Sequence, residues 1–114
     1  MNNLLEETLQ ILRLYGPSEE DVEWVGGNKT WFTWEDFKSL ANVEYDEDYG
    51  VQEVAEDLIV VGKDWWLERG EYDGREWWEF KSMPTKEGRR YKVPKSLLAA
   101  NEPLIFEDEN DEDN

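Results

Sequence analysis

Two residue types that carry much of protein chemistry are missing from this sequence, because it contains no cysteine and no histidine. Without cysteine there are no disulfides and no thiol nucleophiles. Without histidine there is no Ser-His-Asp triad and no imidazole acid-base catalysis. The two absences together remove the usual zinc ligands. The sequence therefore excludes those classes of enzyme and metal site.

Basic residues are scarce, since 12 Lys and Arg stand against 29 Asp and Glu and the formal net charge is -17. This balance argues against binding nucleic acid or an anionic membrane through general electrostatic attraction. We therefore predict a partner that is basic or neutral. Aromatic residues make up 14% of the 114 residues, with 7 Trp, so this is not the composition of a disordered acidic chain.

Long apolar runs are also missing, and no stretch approaches the roughly 18 residues of a membrane span. The N-terminal region carries Glu6 and Glu7 where a secretory signal needs a positive region followed by an apolar one. We therefore expect the chain to lie in the cytoplasm.

Charge divides the chain into three zones. Residues 1–85 carry 7 basic and 21 acidic residues, residues 86–95 carry 5 and 1, and the remainder carries 7 acidic residues and no basic ones. The final residues are all acidic or Asn, and such a block cannot bury apolar surface. We predict a single α+β domain over residues 1–100, with the basic segment 86–95 at its end pairing with acidic groups. A disordered acidic tail over residues 101–114 follows.

Two helices are predicted. Apolar residues recur at three- and four-residue spacing over residues 3–15, and Gly16 ends the pattern. Residues 33–41 form a second, shorter amphipathic helix, with Thr33 as its N-cap and Asp36 three residues later.

The remaining patterns indicate strands. Residues 21–32 form a hairpin around Gly26-Gly27-Asn28, and residues 58–61 form a buried central strand because they are a continuous apolar run rich in β-branched residues. Together with the helices, these patterns predict an α+β fold: a mainly antiparallel sheet of about four or five strands with two or three short helices.

The clearest local pattern is a hairpin from residue 65 to residue 81. Asp73-Gly74 separates two aromatic-rich runs and favours a two-residue type I′ turn. In that register the numbers of opposite residues sum to 147, so Glu68 lies directly opposite Glu79. The face predicted to join the core carries Trp65, Leu67, Trp78 and Phe80.

The other face of this hairpin places aromatic side chains around two opposed carboxylates, an arrangement that costs stability. One interpretation is structural: a helix covers the face, or Lys81 and Arg75 neutralise the carboxylates. The functional interpretation is an amphipathic binding surface. The candidate partner-binding residues are Trp66, Glu68, Tyr72, Trp77 and Glu79, with Asp46, Glu47 and Asp48 from an acidic loop.

Two chemical alternatives fit less well. Paired carboxylates suit glycoside hydrolysis, but Glu68 and Glu79 in one small hairpin offer no cleft. Asp46 and Asp48 are spaced like calcium ligands, but the twelfth residue is Asp57 where a bidentate Glu is expected. We therefore predict no catalytic residue, no metal and no cofactor.

Three strings carry a resemblance: WWLERGEYDGREWWEFK at residues 65–81, WFTWEDF at residues 31–37 and QEVAEDL at residues 52–58. They resemble a group of small acidic proteins of unknown function encoded by phages and prophages of Gram-positive bacteria, over roughly residues 20–85. The resemblance transfers no functional residues. It implies a context, since small acidic phage proteins include inhibitors of host enzymes and defence systems, some of them mimics of DNA charge.

The expected function is therefore binding rather than catalysis. We predict an inhibitor or modulator that docks on the basic surface of a host nucleic-acid-handling protein by charge mimicry, without itself contacting nucleic acid or membrane. The alternative is a self-associating structural or accessory protein whose aromatic face is buried in a homodimer.

Overall fold

The computed structural model describes residues 2–46 and 50–107. The chain divides into two compact units, Met1–Met83 and Pro84–Asn114. The first unit contains helices α1 (Leu4–Tyr15) and α2 (Trp34–Ala41), with a 3-10 helix at Glu19–Asp21. Its strands are β1 (Asn2–Asn3), β2 (Trp24–Gly26), β3 (Trp31–Phe32), β4 (Glu44–Tyr45), β5 (Ile59–Val61), β6 (Trp65–Tyr72) and β7 (Arg75–Ser82). The predicted α+β class is confirmed.

Both helices form where the sequence predicts them, and local capping explains their bounds. The Asn3 side chain accepts the N–H of Glu6 at 3.0 Å at the start of α1, and Gly16 caps its end. At α2, the Thr33 hydroxyl accepts the Asp36 N–H at 3.0 Å, while the Asp36 carboxylate accepts the Thr33 N–H at 3.2 Å. This reciprocal pair is the predicted capping box.

The main sheet has five strands in the order β3-β2-β5-β6-β7, and every neighbouring pair is antiparallel. Strand β5 is central, as predicted for residues 58–61. Strands β1 and β4 form a separate two-stranded sheet.

The β6–β7 hairpin has the predicted register, because Leu67 pairs with Phe80 and Glu68 pairs with Glu79. Asp73 and Gly74 have φ of 54° and 85°, as a type I′ turn requires at both central positions.

The core of the first unit lies between the two helices and one face of this sheet. Val25, Val60 and Leu67 stand side by side on β2, β5 and β6 and are fully buried. Leu12 of α1 and Phe37 of α2 belong to the same buried cluster. Both helices therefore pack on one side of the sheet.

In the described part of the second unit, residues 84–107, no helix or extended strand forms. An isolated antiparallel bridge joins Ser96 to Ile105, and the Lys95 N–H donates to the Ile105 carbonyl at 2.7 Å. The predicted tail begins at residue 101, and its residues 108–114 lie outside the described residues. The predicted limit of the domain at residue 100 stays a prediction.

Within residues 2–46 and 50–107, no helix is long and apolar enough to span a bilayer.

Candidate protein-binding face

The side of the five-stranded sheet opposite the helices is called the outer face here. Its residues are identified by strand alternation. Val25, Val60 and Leu67 point to the helices, so the residues next to them in each strand point to the opposite side of the sheet. The outer face consists of Trp24, Gly26, Trp31, Ile59, Val61, Trp66, Glu68, Gly70, Tyr72, Arg75, Trp77, Glu79 and Lys81.

Aromatic side chains dominate this face and several are strongly exposed. Trp31 is 67% exposed, Tyr72 is 76% exposed and Trp77 is 36% exposed. Trp24 and Trp66 are half-buried. Exposed aromatic residues gathered on one face mark interaction sites more often than ordinary protein surface does.

Glu68 and Glu79 lie opposite each other in the middle of this aromatic surface. Each carboxylate accepts an indole N–H from the tryptophan two residues earlier in its strand. Trp66 Nε1 donates to Glu68 at 2.7 Å, and Trp77 Nε1 donates to Glu79 at 3.1 Å. Lys81 Nζ lies 3.6 Å from the second carboxylate. These contacts compensate part of the like-charge repulsion and hold the rings and carboxylates in a fixed arrangement.

The structural interpretation of this face is correct in one respect, since Lys81 does pair with Glu79. The same interpretation also allowed a helix to cover this face. In the described part of the first unit no helix does so, because α1 and α2 both pack on the opposite side of the sheet.

Gly70 makes room for the Trp77 indole, which lies against the strand beside it. A Cβ at Gly70 would lie 2.5 Å from Trp77 Nε1 and 2.6 Å from Glu79 Oε2, closer than real Cβ contacts. Glycine at this position therefore admits the indole ring and its hydrogen bond to the carboxylate.

An open cleft of about 580 Å³ lies at the β2–β3 end of the same face. Trp24 and Trp31 line it, together with Glu23, Lys29 and the turn between the two strands. Sequence reasoning missed these two tryptophans as site residues. Their strand alternation was a usable signal, but it placed them on this face only once β2 was known to pair with β5.

The predicted binding residues do not all come together. Trp66, Glu68, Tyr72, Trp77 and Glu79 share the outer face as predicted. Asp46 does not belong to it: it follows Tyr45, which contacts Arg69 on the helix-covered face, and its N–H lies 3.4 Å from Glu53 Oε1. Glu47 and Asp48 lie outside the described residues.

A buried polar network on the helix-covered face was not anticipated. Arg69 Nη2 donates to Glu76 Oε1 at 3.0 Å, and both side chains are completely buried. The same carboxylate accepts the N–H groups of Glu53 and Val54 at 2.6 and 3.1 Å. Glu76 therefore fastens the segment before β5 to the hairpin.

The network continues from Arg69 to helix α1. Arg69 Nη2 donates to the Tyr45 hydroxyl at 3.2 Å, and that hydroxyl donates to Glu7 Oε1 at 2.5 Å. The guanidinium stacks 4.7 Å from the Trp78 ring centre, and Trp78 Nε1 donates to the Thr8 hydroxyl at 2.8 Å. Burial, followed by the hydrogen bond to Glu7, raises the pKa of Tyr45 to about 12.

A smaller polar cluster joins the 3-10 helix to α2. Trp34 Nε1 donates to Glu19 at 3.0 Å, and Lys38 Nζ lies 3.3 Å from the same carboxylate. The indole hydrogen bond, followed by Lys38, lowers the pKa of Glu19. Because this cluster is on the surface and internally paired, we read it as a support for α2 rather than as a site.

No group of acidic side chains within residues 2–46 and 50–107 is arranged to hold a metal ion. Comparison of the chain with protein-family models, with curated proteins and with solved structures finds no match. The outer face is therefore the candidate functional site of the chain.

Proposed function

We propose that this chain is a non-enzymatic binding protein whose outer face docks on a basic surface of another protein. One observation supports this most strongly. Trp66 and Trp77 donate to the opposed carboxylates of Glu68 and Glu79, and Trp24, Trp31 and Tyr72 share the same side of the sheet, which lies opposite both helices.

The aromatic residues would supply most of the binding free energy. Tryptophan and tyrosine are enriched among residues whose truncation costs an interface 2 kcal/mol or more. Trp66 and Trp77 are already held by hydrogen bonds to the carboxylates, so little side-chain entropy would be lost when they bind.

The carboxylates favour a basic partner. A lysine or arginine placed between Glu68 and Glu79 would relieve their repulsion and could stack on the neighbouring indole rings. The cleft between Trp24 and Trp31 suits a second cationic side chain for the same reason. The net charge of -17 would steer such a partner to the chain.

We further propose that the partner is a protein that handles nucleic acid. A protein that handles nucleic acid presents a basic groove, and a folded acidic domain can compete for it. The resemblance to small phage proteins supports an inhibitor or modulator of such a host protein, acting in the cytoplasm of the host cell. The chain would contact neither nucleic acid nor membrane.

A capture experiment with matched variants tests the proposal. Tagged wild-type chain, a Glu68→Gln/Glu79→Gln double variant and a Glu20→Gln/Glu56→Gln control are used to retain proteins from a bacterial lysate. Both variants change the net charge by the same amount, and Glu20 and Glu56 are exposed residues off the outer face. Retained proteins are quantified by mass spectrometry.

The proposal predicts a basic protein that the wild type and the control retain and that the outer-face variant loses. Equal loss with both variants would show that overall charge, not this face, binds the protein. Charge mimicry further predicts that DNA displaces the captured protein from the chain. A captured protein that DNA does not displace would contradict charge mimicry.

Self-association is the second candidate, because Trp31 and Tyr72 are exposed on one apolar surface. In a symmetric dimer through this face, however, the carboxylates of two copies would approach one another. Sedimentation over a range of concentrations separates the candidates: a concentration-dependent dimer that a Trp31→Ala variant cannot form would favour self-association.

A further inference from the structure

Strand β7 is the edge of the five-stranded sheet, with β6 as its one neighbour in that sheet. It is also one of the two longest strands, at eight residues. A long edge strand carries unpaired backbone N–H and C=O groups that can pair with another extended chain.

The hairpin register shows which residues of β7 carry those groups. A two-residue turn makes Tyr72 and Arg75 a hydrogen-bonded pair, and hydrogen-bonded pairs then alternate along the hairpin. The N–H and C=O groups that point away from β6 are those of Glu76, Trp78, Phe80 and Ser82. Among the described residues, no backbone hydrogen bond links these four to a segment outside the hairpin.

A groove of about 210 Å³ runs between helix α1 and strand β7. Its lining residues are Glu7, Gln10, Ile11, Leu14, Trp77 and Trp78. The four helix residues recur at three- and four-residue spacing, so they form one flank of α1. Leu14 is 73% exposed there although it is apolar.

We propose that this edge binds an extended peptide segment of a partner protein, which adds to β7 as a sixth, antiparallel strand. Main-chain hydrogen bonds to Trp78, Phe80 and Ser82 would supply the pairing, because Trp78 lines the groove whereas Glu76 is only 2% exposed. The α1–β7 groove would receive every second side chain. This edge borders the outer face and shares Trp77 with it, but its test follows the backbone amides of β7 and needs no docked protein, so the two proposals can fail independently.

The chemistry of the edge specifies the peptide. Side chains opposite Trp78 and Phe80 fall on the helix side, beside Ile11 and Leu14, and should be apolar. The intervening side chains fall on the outer face near Glu79, where a lysine or arginine complements the acidic surface. A segment that alternates apolar and basic residues therefore fits this edge.

The probe is an eight-residue peptide of alternating valine and lysine with both ends blocked. The wild-type chain is titrated with it while backbone amide NMR signals are followed. We expect the amides of Trp78, Phe80 and Ser82 to shift and to become protected from hydrogen exchange.

Two N-methylated peptides provide the matched control. In the antiparallel arrangement, the valine residues face the groove and direct their N–H groups to β7, while the lysine N–H groups point away. Methylation of the backbone nitrogens of the valine residues should abolish binding. Methylation of the backbone nitrogens of the lysine residues should leave binding unchanged. Equal effects of the two methylations, or none, would overturn the proposal.

Substitution on the protein tests the groove. Leu14→Asp should weaken peptide binding roughly tenfold, whereas Leu40→Asp, at a leucine 70% exposed on α2, should not. Equal weakening by both would overturn the groove assignment. Protection of the β7 amides that appears without peptide and grows with protein concentration would instead assign the edge to a second copy of the chain.

Discussion

Replacement of Glu76 by glutamine should destabilise the first unit strongly, although it removes only one charge. The carboxylate is completely buried and accepts three hydrogen bonds, from Arg69 and from the backbone N–H groups of Glu53 and Val54. Glutamine keeps the size of the side chain but leaves the buried guanidinium without its closest anion.

The expected magnitude follows from that geometry. Removing one partner of a buried ion pair typically costs 3–5 kcal/mol, because an uncompensated charge stays buried. Glu7 lies 3.8 Å from Arg69 Nη1 and should compensate a part of this. We therefore expect a loss of about 3 kcal/mol in the free energy of unfolding, a large share of the roughly 5–15 kcal/mol of a typical domain.

Urea unfolding followed by tryptophan fluorescence measures the change. Glu79→Gln is the matched control, because its carboxylate sits on the outer face and its loss should cost less than about 1 kcal/mol. An Arg69→Met/Glu76→Gln double variant should recover part of the stability, since the buried charge is then gone. A Glu76→Gln variant as stable as the control would refute the reasoning.

Three further changes probe the fold. Leu67→Ala removes a fully buried side chain and should cost about 2–5 kcal/mol in urea unfolding, whereas the exposed Leu40→Ala should cost under about 1 kcal/mol. Thr33→Ala removes the N-cap of α2 and should cost about 1 kcal/mol; no loss of stability would contradict the capping role. The raised pKa of Tyr45, about 12 in the folded chain, favours folding below the unfolded value near 10, and this contribution is lost as the pH rises towards 12. Tyr45→Phe should therefore show a weaker fall in stability between pH 9 and 11.5 than the wild type, and equal slopes would contradict the pKa shift.

Local chemistry made much of the fold predictable. A type I′ turn requires positive φ at both central positions, and Asp73-Gly74 tolerates it, which set the hairpin register and the opposition of Glu68 and Glu79. The Thr33 cap likewise fixed the start of α2, because its partner lies three residues away.

Long-range pairing was not predictable in the same way. The outer face gains Trp24 and Trp31 only because β2 pairs with β5, and no turn connects those strands directly. The buried polar network could not be predicted from the sequence for the same reason. The register placed Arg69 and Glu76 on the core side, but Tyr45 and Glu7 reach them from distant segments whose approach no local pattern encodes.

The central claim is that the carboxylates of the outer face bind a basic protein. Its most direct test is the dissociation constant of the captured protein for the wild-type chain, the Glu68→Gln/Glu79→Gln variant and the Glu20→Gln/Glu56→Gln control at low and high salt. We predict that salt weakens wild-type and control binding alike, and that the outer-face variant binds more weakly with a smaller salt dependence. The same affinity and the same salt dependence for all three chains would contradict the claim.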